Sequence, residues 1–112
     1  MKKYHVFSVL SLCILLATST APQASSPAAW EEFRNNVKTK CKSEAAKHNL
    51  KKVSAIVDPF GSEQFGFAFI TGVNGQDMKT SYTYICVFDK QKETVELSGE
   101  WETKKLKLEP VK

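Results

Sequence analysis

The chain has 112 residues, of which 42% are hydrophobic and 25% charged, with three cysteines, two histidines and a formal net charge of +4. Lys2 and Lys3 fall in a leader, so the sixteen basic residues become fourteen against twelve acidic ones. The resulting +2 excludes the strongly basic surface of a nucleic-acid-binding domain, and the length excludes more than one small core.

Residues 1–24 read as an export signal. Met1-Lys2-Lys3 supplies a positive start, and residues 6–17 (VFSVLSLCILLA) form an apolar run of secretory length, too short to cross a bilayer. Cleavage after Ser19, Ala21 or Ala24 fits the small residues that follow; Ala17 and Ser19 match the small-x-small pattern best. Cys13 is preceded by Leu12 and followed by more apolar residues, which disfavours a lipid anchor and assigns Cys13 to the discarded segment. Residues 26–112 are then a single small domain, expected in the periplasm or secreted, with two cysteines left, Cys41 and Cys86. In an oxidising compartment that pair implies a disulfide.

The first element is a long amphipathic helix ending near Asn49. Ser26 caps it, Pro27 suits its first turn, and Glu31 and Glu32 place negative charge near its positive end. Trp30, Phe33, Val37, Cys41, Ala45 and His48 recur every three or four residues and so share one face.

From Lys52 the period becomes two. Residues 53–58 are the first expected strand, stopped by Pro59, and 64–71 the second, with Phe65, Phe67 and Phe69 on one side as much of the core. Residues 80–88 are the third, with Tyr82, Tyr84, Cys86 and Phe88 on one face and Thr83, Ile85 and Val87 on the other; two apolar faces place it inside the sheet. Residues 94–101 are the fourth, with Val95, Leu97 and Trp101 inward and Glu96, Ser98 and Glu100 outward. Residues 105–109 alternate again and give either a lysine-guarded fifth strand or a frayed tail.

The fold class is therefore α+β: one long N-terminal helix packed on a four- to five-stranded antiparallel β-meander, with one helix-to-sheet disulfide, Cys41 to Cys86. Cys41 lies on the helix's apolar stripe and Cys86 on the Tyr82, Tyr84 and Phe88 face of the third strand, so two independent periodicities bring both to the layer where helix and sheet meet.

Groups for chemistry are sparse. His48 is the one histidine after the leader and reads as a helix-terminal residue rather than a base. With the cysteines paired, no zinc ligand set remains. Glu96 with Glu100 and Asp58 with Glu63 are the nearest approaches to a carboxylate pair, and a solvated sheet face and a capped turn account for them. No catalytic residue, cofactor or metal is expected. The lysine clusters at 38–52 and 104–107 read as a solvated helix face and a guarded edge. Binding needs no diagnostic motif, and Phe60, Thr83, Ile85 and Val87 are the candidate apolar surface, either open or covered by loops and the C-terminal segment.

The helix cysteine, Tyr84-Ile85-Cys86, the Asp89-Lys90 turn and Val95-Glu96-Leu97-Ser98-Gly99 together resemble small exported bacterial proteins of unassigned activity. The Tyr-x-Cys strand is also similar to that of the membrane-bound and periplasmic inhibitors of c-type lysozyme, β-barrels whose inhibitory loop carries Ser-Gly-x-x-Tyr. Here Ser98-Gly99-Glu100-Trp101 lacks the tyrosine, and a long leading helix is foreign to that family. The functional expectation is an exported cell-envelope binding or accessory protein without catalytic activity, a monomer or weak dimer. It would engage an envelope protein or ligand, neither bind nucleic acid nor keep a transmembrane segment after signal removal. The alternative is an inhibitor of a cell-wall hydrolase acting through residues 58–63 or 72–77.

Overall fold

The computed structural model describes residues 26–107. The expected leader with its expected cleavage sites, Cys13 and the last two residues of the expected fifth strand lie outside the described residues. Helix α1 runs Pro27–Ala46. The Ser26 hydroxyl accepts the Ala29 N–H at 3.1 Å, satisfying one of the free donors of the first turn, and Pro27 needs no such partner. The helix stops three residues earlier than its stripe implies. Asn49 adopts a left-handed φ of 58° and turns the chain into the sheet, which leaves His48 exposed beyond the last helical turn. Val37, Cys41 and Ala45 are buried, with Trp30 and Phe33 partly so.

Four strands follow as an antiparallel meander, β1 Leu50–Val57, β2 Phe65–Asn74, β3 Ser81–Asp89 and β4 Val95–Leu97, and β5 Trp101–Glu102 also pairs with β3. α1 lies across one face. Among the described residues no helix is long and apolar enough to cross a membrane.

The sheet corrects one expectation directly. Gly66, Ala68, Ile70 and Gly72 of β2 face the helix, and Phe65, Phe67 and Phe69 fall on the opposite face. Close approach is the reason: a Cβ on Gly66 would lie 2.8 Å from Phe33 Cζ and 3.0 Å from Val37 Cγ2. Small residues let the helix settle onto β2, and the buried core is Val37, Cys41, Ala45, Leu50, Ala68, Ile70, Tyr84, Cys86 and Phe88. β3 behaves as its alternation implies, with Tyr84, Cys86 and Phe88 inward. Cys41 and Cys86 form the disulfide from helix to sheet, their Cα atoms 5.9 Å apart, and both are fully buried.

Two bulges account for the other departures. In β1, Lys52 and Val53 oppose Gly72 alone, with Lys52 at φ 50°, so Leu50 points inward before the bulge and Val53, Ala55 and Val57 after it. The strand therefore begins at Leu50 instead of 53. Between β4 and β5, Ser98, Gly99 and Glu100 oppose only Tyr84 and Ile85, because Leu97 pairs with Cys86 and Trp101 with Thr83. One extra residue reverses the side-chain phase. Trp101, expected inward, lies on the outer face at 50% exposure, and Glu100, expected outward, reaches the Tyr84 hydroxyl on the helix side.

The expected strand from residue 105 is also corrected. Thr103–Lys105 is a single 3-10 turn. The Thr103 hydroxyl lies 2.8 Å from that of Ser81 and 2.9 Å from that of Thr83, and Thr83 lies 3.0 Å from Thr71. This hydroxyl chain ties the C-terminal return to the outer face of β3.

Candidate functional site

The strand register arranges the outer sheet face in cross-strand rows. Ser54, Thr71, Thr83 and Trp101 form one, and Ile56, Phe69 and Ile85 the next. Asp58, Phe67, Val87 and Glu96 form a third, the Asp58 N–H donating to the Phe67 carbonyl at 2.8 Å. The middle row is open: Ile56 is 72% exposed, Phe69 42% and Ile85 39%. Single exposed apolar residues need no explanation, but three large ones side by side on adjacent strands form a continuous patch of the kind that marks a binding surface. With Pro59 and Phe67 they line a shallow cleft of about 300 Å³, bordered by Asp58.

The four residues expected to share a surface separate. Ile85 belongs to the open row and half-buried Val87 adjoins it, whereas Thr83 is buried beside the hydroxyl of Thr103 and the paired Trp101. Phe60 stands apart in the β1–β2 turn, its ring 5.0 Å edge-on from that of Trp30 on the helix. Ile56, Phe67 and Phe69 are the members that sequence reasoning missed. Their signal was Gly66 and Ala68, whose small size marks the face that the helix covers and so frees the phenylalanines for the other.

The β1–β2 turn is rigidly held. Asp58 Oδ1 accepts the N–H groups of Gly61 and Phe60 at 2.9 and 3.1 Å, which holds the Asp58 carboxyl below the usual carboxylate range. The Lys90 ammonium donates to the carbonyls of Ser62 and Phe60 at 2.7 and 2.9 Å and sits over the rings of Phe33 and Trp30 at 4.9 and 5.4 Å. Arg34 donates to the Pro59 carbonyl at 3.3 Å. Asp58 is thereby a structural cap, and its charge borders the cleft from a fixed position.

On the helix side, the Tyr84 hydroxyl donates to Glu100 Oε2 at 2.8 Å, and the His48 ring lies 5.6 Å from that of Tyr84. Burial first, and then the Glu100 carboxylate, push the Tyr84 phenol up to about 12, so it is a hydrogen-bond donor throughout the physiological range. A polar cavity of about 160 Å³ opens beside these groups. The bulge sends Glu96 and Glu100 to opposite faces, so they do not make a facing pair. Among the described residues no group of three His, Cys, Asp or Glu side chains is placed to hold a metal ion.

The chain matches no family model, no curated protein and no solved structure, and its residues alone carry the functional reading.

Proposed function

We propose that this chain is an exported binding or accessory domain of the cell envelope, that it works without catalysis, and that its ligand is held on the outer sheet face. The observation that carries the reading is the open row of Ile56, Phe69 and Ile85 across three adjacent strands. Hydration of that row opposes leaving it bare, at about 25 cal/mol for each Å² of apolar surface, and a ligand that covers it gains that term. The fully buried disulfide supports the exported setting, since such crosslinks persist in oxidising compartments.

Nile red, a neutral apolar dye, tests the surface. Its fluorescence rises on the wild-type protein and stays at the buffer level with Ile85→Asp, while equal signals from the two proteins would remove the proposal. Cell fractionation tests the setting: the leaderless protein belongs in the periplasm or medium, and retention of the uncleaved chain in the cytosol contradicts export.

A second reading has a specific observation behind it. Phe60 is 56% exposed at the tip of a turn braced by Asp58, Lys90 and Arg34, and a preorganised loop is what insertion into a hydrolase active site requires. A panel of lysozymes with stoichiometric protein separates the two readings. Slowed hydrolysis that Phe60→Ala relieves supports inhibition; unchanged rates across the panel eliminate it.

A further inference from the structure

We infer that the outer face docks a short amphipathic helix whose apolar stripe is flanked by basic residues. This rests on the reading of that face as a binding surface and adds the chemistry of its partner.

Spacing comes first. Ile56, Phe69 and Ile85 occupy neighbouring strands, so they repeat at about 4.8 Å across the sheet. A helix laid across the strands presents apolar groups at i, i+3 or i+4, and i+7, one for each turn of about 5.4 Å. The two repeats stay in step for the three residues of the row. An extended peptide finds only short seats, because the free edge of β1 is interrupted by the bulge at Lys52 and ends at Pro59, and the opposite edge is formed by β4 of three residues and β5 of two.

Charge selects the flanks. The adjoining row has a carboxylate at each end, Asp58 on one side of Phe67 and Val87 and Glu96 on the other, three strand intervals or about 14 Å apart. Ten helical residues cover about that distance. Lys90 lies near Asp58 but is held by the turn carbonyls, and Lys92 borders the same shallow cavity as Glu96. The ion pairs among the described residues are Lys47 with Glu44 and Lys104 and Lys105 with Glu102; Asp58 and Glu96 are in none, although the nearby Lys90 charge already favours the ionised Asp58. A second copy docked face to face would set these carboxylates against their counterparts, and an anionic lipid surface would meet the same repulsion. A lysine at each end of the helix instead finds a partner.

Two synthetic helical peptides test this, with the same leucine and phenylalanine stripe and either lysine or glutamate at both ends. Binding is followed by Trp101 fluorescence in a Trp30→Phe background. The lysine peptide should bind roughly tenfold more tightly than the glutamate peptide, the scale of two exposed ion pairs. Asp58→Asn with Glu96→Gln should abolish that preference, the asparagine keeping the Oδ1 acceptor that the turn uses, and Ile85→Asp should abolish binding of both peptides. Equal affinities, or preference for the glutamate peptide, overturns the inference. So does binding to phosphatidylglycerol vesicles that outcompetes the peptide, or dimerisation in sedimentation that Ile85→Asp reverses. If Nile red still binds and Ile85→Asp still removes it, the face remains a binding surface with a different partner; loss of the dye result removes both.

Discussion

Cys41 and Cys86 illustrate how a single residue pair carries stability in a domain of this size. Each is fully buried, and the bond closes a loop with a sequence separation of 45. On the chain-entropy account that closure stabilises the fold by about 4 kcal/mol, a large share of the total for a small core. Replacing both cysteines with alanine should therefore shift the urea midpoint by the equivalent of about 4 kcal/mol, and mass spectrometry should find the native protein two protons lighter than its reduced form. Other residues set its pH limits. Asp58, Asp77 and Asp89 are held below the ordinary carboxylate range: Asp58 by the Gly61 and Phe60 N–H groups, Asp77 by the Thr80 hydroxyl and then the Lys79 and Thr80 N–H groups, and Asp89 chiefly by the Lys92 N–H. A depressed carboxyl stabilises the fold above its unfolded pKa, and that contribution disappears as pH falls through the folded value. Urea midpoints measured from neutral pH downward should hold steady and then fall below about pH 4. Tyr84 works in the opposite direction. Its stabilisation is complete below pH 10 and is lost as pH rises through about 12. Ultraviolet titration should show the Tyr84 phenol ionising only as pH approaches about 12, with Glu100→Ala lowering that value only in part because burial is the larger cause.

At the scale of elements, the fold was legible wherever local chemistry and period agreed. The Ser26 cap, the Val37, Cys41 and Ala45 stripe, and the inward series of β3 were all readable because nothing interrupts their repeat. The sequence failed at the two bulges. One added residue near Lys52 and another at Ser98 to Glu100 reverse which side chains face the core, and alternation alone carries no mark of where the extra residue enters. Trp101 and Glu100 changed faces for that reason. The phenylalanines of β2 fall on the other face for a different reason: hydrophobicity argues for the core, but the helix side chains Phe33 and Val37 come within about 3 Å of where a Cβ on Gly66 would lie, so the face with Gly66 and Ala68 is the one the helix covers. Gly66→Ala tests that account, and Gly72→Ala tests the equally close approach of β1 at the bulge. At Gly72 the new methyl would meet Leu50 Cγ and the Lys51 carbonyl oxygen, each at 2.7 Å, and at Gly66 it would press on Phe33 and Val37. Each substitution should cost about 1–3 kcal/mol in denaturant unfolding, where Gly99→Ala, with open space around it, should cost little.

For the whole molecule, the same close packing that builds the core also creates the surface. Settling the helix onto Gly66 commits Phe65, Phe67 and Phe69 to the far face, and the bulge before Trp101 brings the C-terminal return over Thr83 while leaving Ile56, Phe69 and Ile85 open. Only Ile85 and its neighbour Val87 were identified as part of this patch from sequence; the rest depended on which face the helix takes. Whether ligand is held on this open row, as proposed, is tested by isoleucine-methyl NMR with a control built in. Ile56 and Ile85 lie on the outer face and Ile70 in the core. Titration with the lysine-flanked peptide should move the Ile56 and Ile85 methyl signals and leave Ile70 in place. Ile56 and Ile85 signals that stay in place at saturating peptide, or that move no more than Ile70, would mean that ligand is not held on this row.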